Sequence, residues 1–143
     1  MKILAIMFLT IFLSKGCDEE TTKDAKSAVI EYTANTRGFY QKITVRDQTL
    51  TISTDRNETK QATAVRINDA DWKLVMEAFQ EINLEGMPNL KAPTEKRFYD
   101  GAAMADLKIT FKGKIYQSQT FDHKHPPAGI AKLVDKLVSF VKE

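Results

Sequence analysis

The residues best suited to chemistry cluster in Phe121-Asp122-His123-Lys124-His125-Pro126-Pro127, which holds both histidines of the 143-residue chain. If that segment is extended, alternate side chains share a side, so His123 and His125 could ligate one metal ion with a carboxylate completing the set. Asp122 would then point the other way, and Lys124 would add repulsion. The plainer account is a polar connection from a strand into a helix. A second group is Arg97-Phe98-Tyr99-Asp100-Gly101. Aromatic rings beside a charged pair, where a loop meets a strand, have the composition of a protein-binding site. The competing account is that the rings close the end of the core while Asp100-Gly101 makes a turn. The third residue is Cys17, the single cysteine, which has no intramolecular disulfide partner.

Nothing else assembles into a reaction centre. No serine lies in a nucleophile elbow, and Gly86, Gly101 and Gly113 are isolated rather than grouped into a phosphate-cradling loop. Asp100 and Asp106 could share one face of a strand, but as solvated surface. We therefore expect no catalysis and no small-molecule cofactor. The formal charge of +2 includes Lys2 and Lys15; without those two the chain carries 19 basic and 19 acidic residues. That balance argues against nucleic acid as a partner, which demands clustered excess Lys and Arg.

The elements that must position these groups follow from periodicity. Alternation of apolar and polar residues predicts strands over Ala28–Ala34, Phe39–Arg46 and Thr49–Thr54. Their inward residues are Ala28, Ile30, Tyr32 and Ala34, then Phe39, Gln41, Ile43 and Val45, then Leu50 and Ile52. Thr36-Arg37-Gly38 and Asp47-Gln48 are the turns between them. A weaker fourth strand, Thr59–Ile67, would turn Thr63, Val65 and Ile67 inward. At Asn68 the period becomes helical: Asn68 or Asp69 caps a helix carrying Trp72, Val75, Met76, Phe79 and Ile82, which should stop near Asn83. Gly86, Pro88 and Pro93 then hold a loop open to about Arg97, with Lys91, Lys96 and Arg97 on it. Two more strands, Ala102–Phe111 and Lys114–Phe121, meet at a Lys112-Gly113 hairpin. Pro127 opens a last helix with a stripe of Ile130, Leu133, Val134, Leu137, Val138 and Val141. The order ββββ-α-ββ-α predicts one α+β domain over residues 28–143: a mainly antiparallel sheet of about six strands, with two amphipathic helices on one face.

The N-terminus is of a different kind. Met1-Lys2 precedes an apolar run from Ile3 to Leu13, too short for the roughly 20 residues of a membrane-spanning helix and suited to the apolar part of a secretory signal. Leu13-Ser14-Lys15-Gly16-Cys17 resembles the lipobox of bacterial lipoproteins, with Lys15 in place of the usual small residue. The resemblance implies that residues 1–16 are removed as a signal peptide and that Cys17 becomes the acylated N-terminus. Two or three acyl chains, at about 0.8 kcal/mol per buried CH₂, would tie it to a membrane for good. Residues 17–27, polar and small, then read as a tether. Asp18-Glu19-Glu20 resembles the acidic surface-export signal of one group of Gram-negative lipoproteins. It favours the outer membrane or cell surface over the periplasmic face of the inner membrane, which the Asp18 position alone would suggest.

From Val29 to Val141 the pattern also resembles the emfourin family, small inhibitors of thermolysin-type metalloproteases. The resemblance rests on the Arg37-Gly38-Phe39 turn, the Trp72–Ile82 helix leading into Leu84 and Pro88, the paired strands ending in Phe121-Asp122, and Pro126-Pro127 opening a helix with Leu133, Val134 and Leu137. The segment Lys91–Arg97 has no counterpart in it. It implies loops that block a protease cleft non-covalently, and it assigns no inhibitory residues. The expectation is a membrane-tethered, non-enzymatic protein-binding module, with a metalloprotease inhibitor as its sharper form and an envelope or secreted protease as partner. The alternatives are a structural or assembly subunit of an envelope complex and, less favoured, a metal binder or enzyme using Asp122, His123 and His125.

Overall fold

Strand alternation dictates a sheet with one face to bury. The computed structural model describes residues 25–142 and has that sheet. Its strands are β1 (Val29–Thr36), β2 (Phe39–Arg46), β3 (Thr49–Ser53), β4 (Ala64–Arg66), β5 (Met104–Phe111), β6 (Lys114–Gln117) and β7 (Phe121–Asp122). They run antiparallel in the order β4-β3-β2-β1-β5-β6, with β7 also pairing β5. Two α-helices lie wholly among the described residues, α1 (Asp69–Gln80) and α2 (Ala128–Ser139). The protein is α+β, in the chain order anticipated. Cys17, the signal segment and residues 17–24 of the expected tether lie outside the described residues.

In the central strands the inward residues are those the alternation names, except Phe39, expected inward but 36% exposed because it stands at the open end of β2 beside the hairpin turn. Ile30, Tyr32 and Ala34 of β1, Gln41, Ile43 and Val45 of β2, and Ala105, Leu107 and Ile109 of β5 are all buried. Cross-strand partners such as Tyr32 with Ile43 and Leu107 keep them in one layer. The Asp47-Gln48 and Lys112-Gly113 turns place both their residues at positive φ, the geometry that follows strand twist in a two-residue hairpin.

Both helices lay their apolar stripes on this layer. Trp72, Val75, Met76, Ala78 and Phe79 of α1 are buried, as are Ile130, Leu133, Val134 and Leu137 of α2. Asn68 is the N-cap of α1, its side chain accepting from the Asp71 N–H at 2.8 Å. Pro127 stands at the N-cap of α2. Lys136 of α2 reaches Asp71 of α1 at 2.7 Å. The opposite face of the sheet is polar, with Glu31 between Lys42 at 3.5 Å and Lys108 at 3.7 Å.

Four expectations need correcting. The fourth strand shrinks to three residues, and Thr63 and Val65 are exposed, Val65 by 56%; only Ile67 of the expected trio is buried. Asp55 explains the shortening: its carboxylate accepts from the N–H groups of Asn57, Thr59 and Lys60, winding the preceding residues into a loop. The expected sixth strand divides into β6 and β7, because Ser118 caps the ladder by accepting from the Leu107 N–H at 3.0 Å. Helix α1 ends at Gln80, and the following segment is not held open. Asn83 accepts from the Gly86 N–H to start a 3₁₀ turn over Leu84–Asn89 whose Met87 is fully buried. Finally, Ala25 is 2% exposed and accepts from the Ala28 N–H at 3.1 Å, so the core already includes a residue of the stretch expected to be tether.

Replacing Leu133, fully buried, with alanine should cost about 2–5 kcal/mol through lost burial and a residual cavity. Val65→Thr on the exposed edge should stay within about 0.5 kcal/mol. Urea denaturation of both variants checks the assignment; equal costs would contradict it.

Candidate functional site

The centre of the candidate region is a carboxylate. Asp122 ends β7 with no exposed surface. Its Oδ2 accepts from the Thr94 hydroxyl at 2.6 Å and the Lys96 N–H at 2.8 Å; its Oδ1 accepts from the Arg97 N–H at 2.9 Å and from Arg97 Nη1 at 3.1 Å. Burial works to raise the carboxyl's pKa, and these donors outweigh it, holding the group well below the usual carboxylate range. A buried anion is tolerable when every lone pair is engaged and a countercharge is adjacent. Asp122 meets both conditions, so it serves as a structural pin rather than an acid or base.

The pin shapes the segment it holds. Lys96–Tyr99 form a second 3₁₀ turn, closed by Asp100 in the left-handed region (φ 60°) and by the Gly101 N–H donating to the Lys96 carbonyl at 2.8 Å. Gly101 fits closely here, since an added Cβ would lie 3.0 Å from the Tyr99 ring and 3.1 Å from the Lys96 carbonyl oxygen and would press on both. Arg97 lies beneath the turn, its side chain 7% exposed. Nη1 also donates to the Thr94 carbonyl at 2.8 Å, Nε is buried without a partner, and the guanidinium sits 4.3 Å from the centroid of the Phe98 ring. Phe98 and Tyr99 remain 69% and 71% exposed.

Of the four residues singled out as a binding cluster, Arg97 is thus the internal support, Phe98 and Tyr99 form the surface, and Asp100 makes the turn. The notion that the rings close the core does not hold for Phe98 or Tyr99. No local pattern signals the Asp122 anchor, because its partners lie 25 to 28 positions away.

The histidines are placed differently from an extended segment. His125 donates its N–H back to the Asp122 carbonyl at 2.8 Å, so residues 122–125 form a tight turn with Lys124 at φ 68°. His123 is half-buried between Tyr32 and Phe39, with ring centroids 5.9 and 5.5 Å away, and its Nδ1 lies 2.8 Å from the Tyr32 hydroxyl. The phenol and the imidazole share this hydrogen bond, whose direction follows the imidazole tautomer. Burial, then Lys124 and His125, lower the His123 pKa; burial raises that of Tyr32. His125 is exposed. Among the described residues no group of three or more His, Cys, Asp or Glu side chains comes together to hold a metal.

No family model and no curated protein matches the chain. Among the described residues no helix is long and apolar enough to cross a membrane.

Two outcomes are expected. Asp122→Ala strands a buried guanidinium and should cost on the order of 3 kcal/mol, opening the loop to trypsin after Lys96 and Arg97; an unchanged urea midpoint with an intact loop would show that something else holds it. For His123 the folded pKa lies below the unfolded value of about 6.5, so the unfolded chain takes up the proton first. Its contribution is complete above about pH 6.5 and falls as pH drops through that value toward the folded pKa. His123→Gln should flatten the stability profile in this window, above the separate loss expected when Asp122 titrates, and thermal melts across pH 5–8 would reveal an unaltered slope if the idea is wrong.

Proposed function

We propose that the chain is a lipoprotein of the bacterial cell envelope, tethered through acyl groups on Cys17 at the outer membrane or cell surface. Its domain binds protein without performing chemistry, and its partner is a thermolysin-type metalloprotease. The observation that supports binding is the pair of open rings, Phe98 and Tyr99, on a turn fixed from below by Asp122 and Arg97. Aromatic anchors supply much of the energy of protein interfaces. A turn held before the partner arrives also lowers the ordering cost of association. The engaged state of Asp122 supports the non-enzymatic part, because both oxygens of its carboxylate are taken by the chain's own donors. The protease as partner rests on the emfourin-like pattern, and the tether on the lipobox-like residues ending in Cys17.

Titration of a thermolysin-type protease with the mature chain carrying Cys17→Ser should abolish proteolysis at an equimolar ratio, and Phe98→Ser with Tyr99→Ser should weaken inhibition at least tenfold. An unchanged rate would end the inhibitor reading. Capture of one constant envelope partner by the wild type and not by the double variant would favour an assembly subunit instead.

A further inference from the structure

Three connections meet at one end of the sheet. The β1–β2 hairpin ends in Phe39, whose ring packs on His123. The 122–125 turn carries His123 and, through Asp122, holds the 94–99 segment. His123 also donates its N–H to the Ala103 carbonyl at 2.9 Å, next to Met104 at the start of β5. This end of the sheet therefore carries Phe39, on the core side of β2, Met104, on the polar side of β5, and Phe98 and Tyr99 on the turn beyond, exposed by 36%, 44%, 69% and 71%. The remaining exposed large apolar side chains among the described residues, Val65, Leu74 and Ile115, lie on other elements.

The charges of the same end are mainly positive. Arg37 stands at the hairpin tip, Arg56 is hydrogen-bonded to the Thr36 and Phe39 carbonyls, Lys96 follows the buried carboxylate, and Lys124 heads the turn. Against them stand Glu95 and Asp100. Asp55 is turned onto the N–H groups of its own loop, and Asp122 is matched by Arg97.

The chain enters at the opposite end. Ala25 shares an apolar groove with Phe79, Ile82, Leu84 and Phe111, beside the start of β1 and the finish of β5. Each of those strands has 8 residues, so roughly 23 Å of strand separates the two ends. The first described residue thus lies at the far end of the sheet from the aromatic groups.

We infer that Phe39, Phe98, Tyr99 and Met104, ringed by Arg37, Arg56, Lys96 and Lys124, form one composite docking surface for an acidic segment of another protein, with apolar side chains set among its carboxylates. This rests on the protein-binding reading above and extends it in partner chemistry and in area, from one turn to three connections. A lipid surface would suit aromatic and basic residues as well, but the placement opposite Ala25 favours protein.

The test selects a random phage-displayed peptide library on the mature chain carrying Cys17→Ser, with vesicles of phosphatidylglycerol and phosphatidylcholine as the second arm. Enriched peptides should carry excess Asp and Glu with apolar neighbours. They should bind at least tenfold more weakly to Phe98→Ser/Tyr99→Ser and to Arg37→Glu/Lys96→Glu, and lose affinity between 50 and 500 mM NaCl. Thermal melts of both variants, altered only at exposed side chains, should match the wild type. Absence of enrichment, peptides without acidic excess, wild-type binding by either variant, or vesicle binding as tight as peptide binding would each overturn the inference. A chain that leaves thermolysin-type protease active but selects acidic peptides at this surface refutes only the protease as partner.

Discussion

The Asp122 carboxylate is the constraint on which the candidate surface depends. It lies at the end of a two-residue strand with little ladder of its own, and through four accepted hydrogen bonds it fixes a segment more than twenty residues earlier in the chain. Inside a protein, such bonds are strong because no water competes, and the same low dielectric makes a missing partner costly. Thr94, Lys96 and Arg97 are therefore defined together. The arrangement carries a cost, visible in the Arg97 Nε that is buried without an acceptor. What it provides is a fixed support under Phe98, whose ring is backed by a guanidinium that cannot swing away without abandoning the buried anion.

His123 couples that support to the sheet. It is the neighbour of Asp122, and it lies between the phenol of Tyr32 in the deepest layer and the half-open ring of Phe39 at the rim. The Tyr32 hydroxyl and His123 Nδ1 share a hydrogen bond, so the imidazole and the position of the 122–125 turn belong to one arrangement. The Asp122 carboxylate and the Nδ1 of His123 are thus both taken up in holding the chain to itself.

Which parts of this were legible follows from the range of the forces involved. Period-two and period-3.6 patterns report which side of an element meets the core, and they located β1, β2, β5 and both helices, because there a slip of one residue would expose Tyr32, Leu107 or Leu133. Expectation failed where a local hydrogen bond competes with the ladder: Asp55 gathers backbone donors ahead of β4, and Ser118 interrupts the strand that divides into β6 and β7. It failed again where burial has no periodic partner, as with Met87 in a segment whose glycine and prolines suggest an open loop. The site was half legible. Composition drew attention to Arg97 through Asp100 and to the histidines, but the division of labour among them depends on contacts between distant positions, which no local pattern encodes.

The same reasoning bears on how an isolated domain of this kind could recognise a partner without a cleft. Its core is closed by two helices on one face, and the other face is a polar sheet balanced by pairs such as Glu31 with Lys42 and Lys108. Away from the groove beside Ala25, these faces offer only scattered apolar side chains, such as Leu74 and Ile115. The ends of a sheet are where helices cannot reach, and the connections there must satisfy their backbone groups by other means. At the end bearing Asp122 those means are side chains, and they hold the loop firmly enough for large rings to stay in water without collapsing onto the core. Rigid loops with open aromatic groups are thus a consequence of how this edge was closed, and the binding surface and the fold's own solution for its sheet end share the same residues.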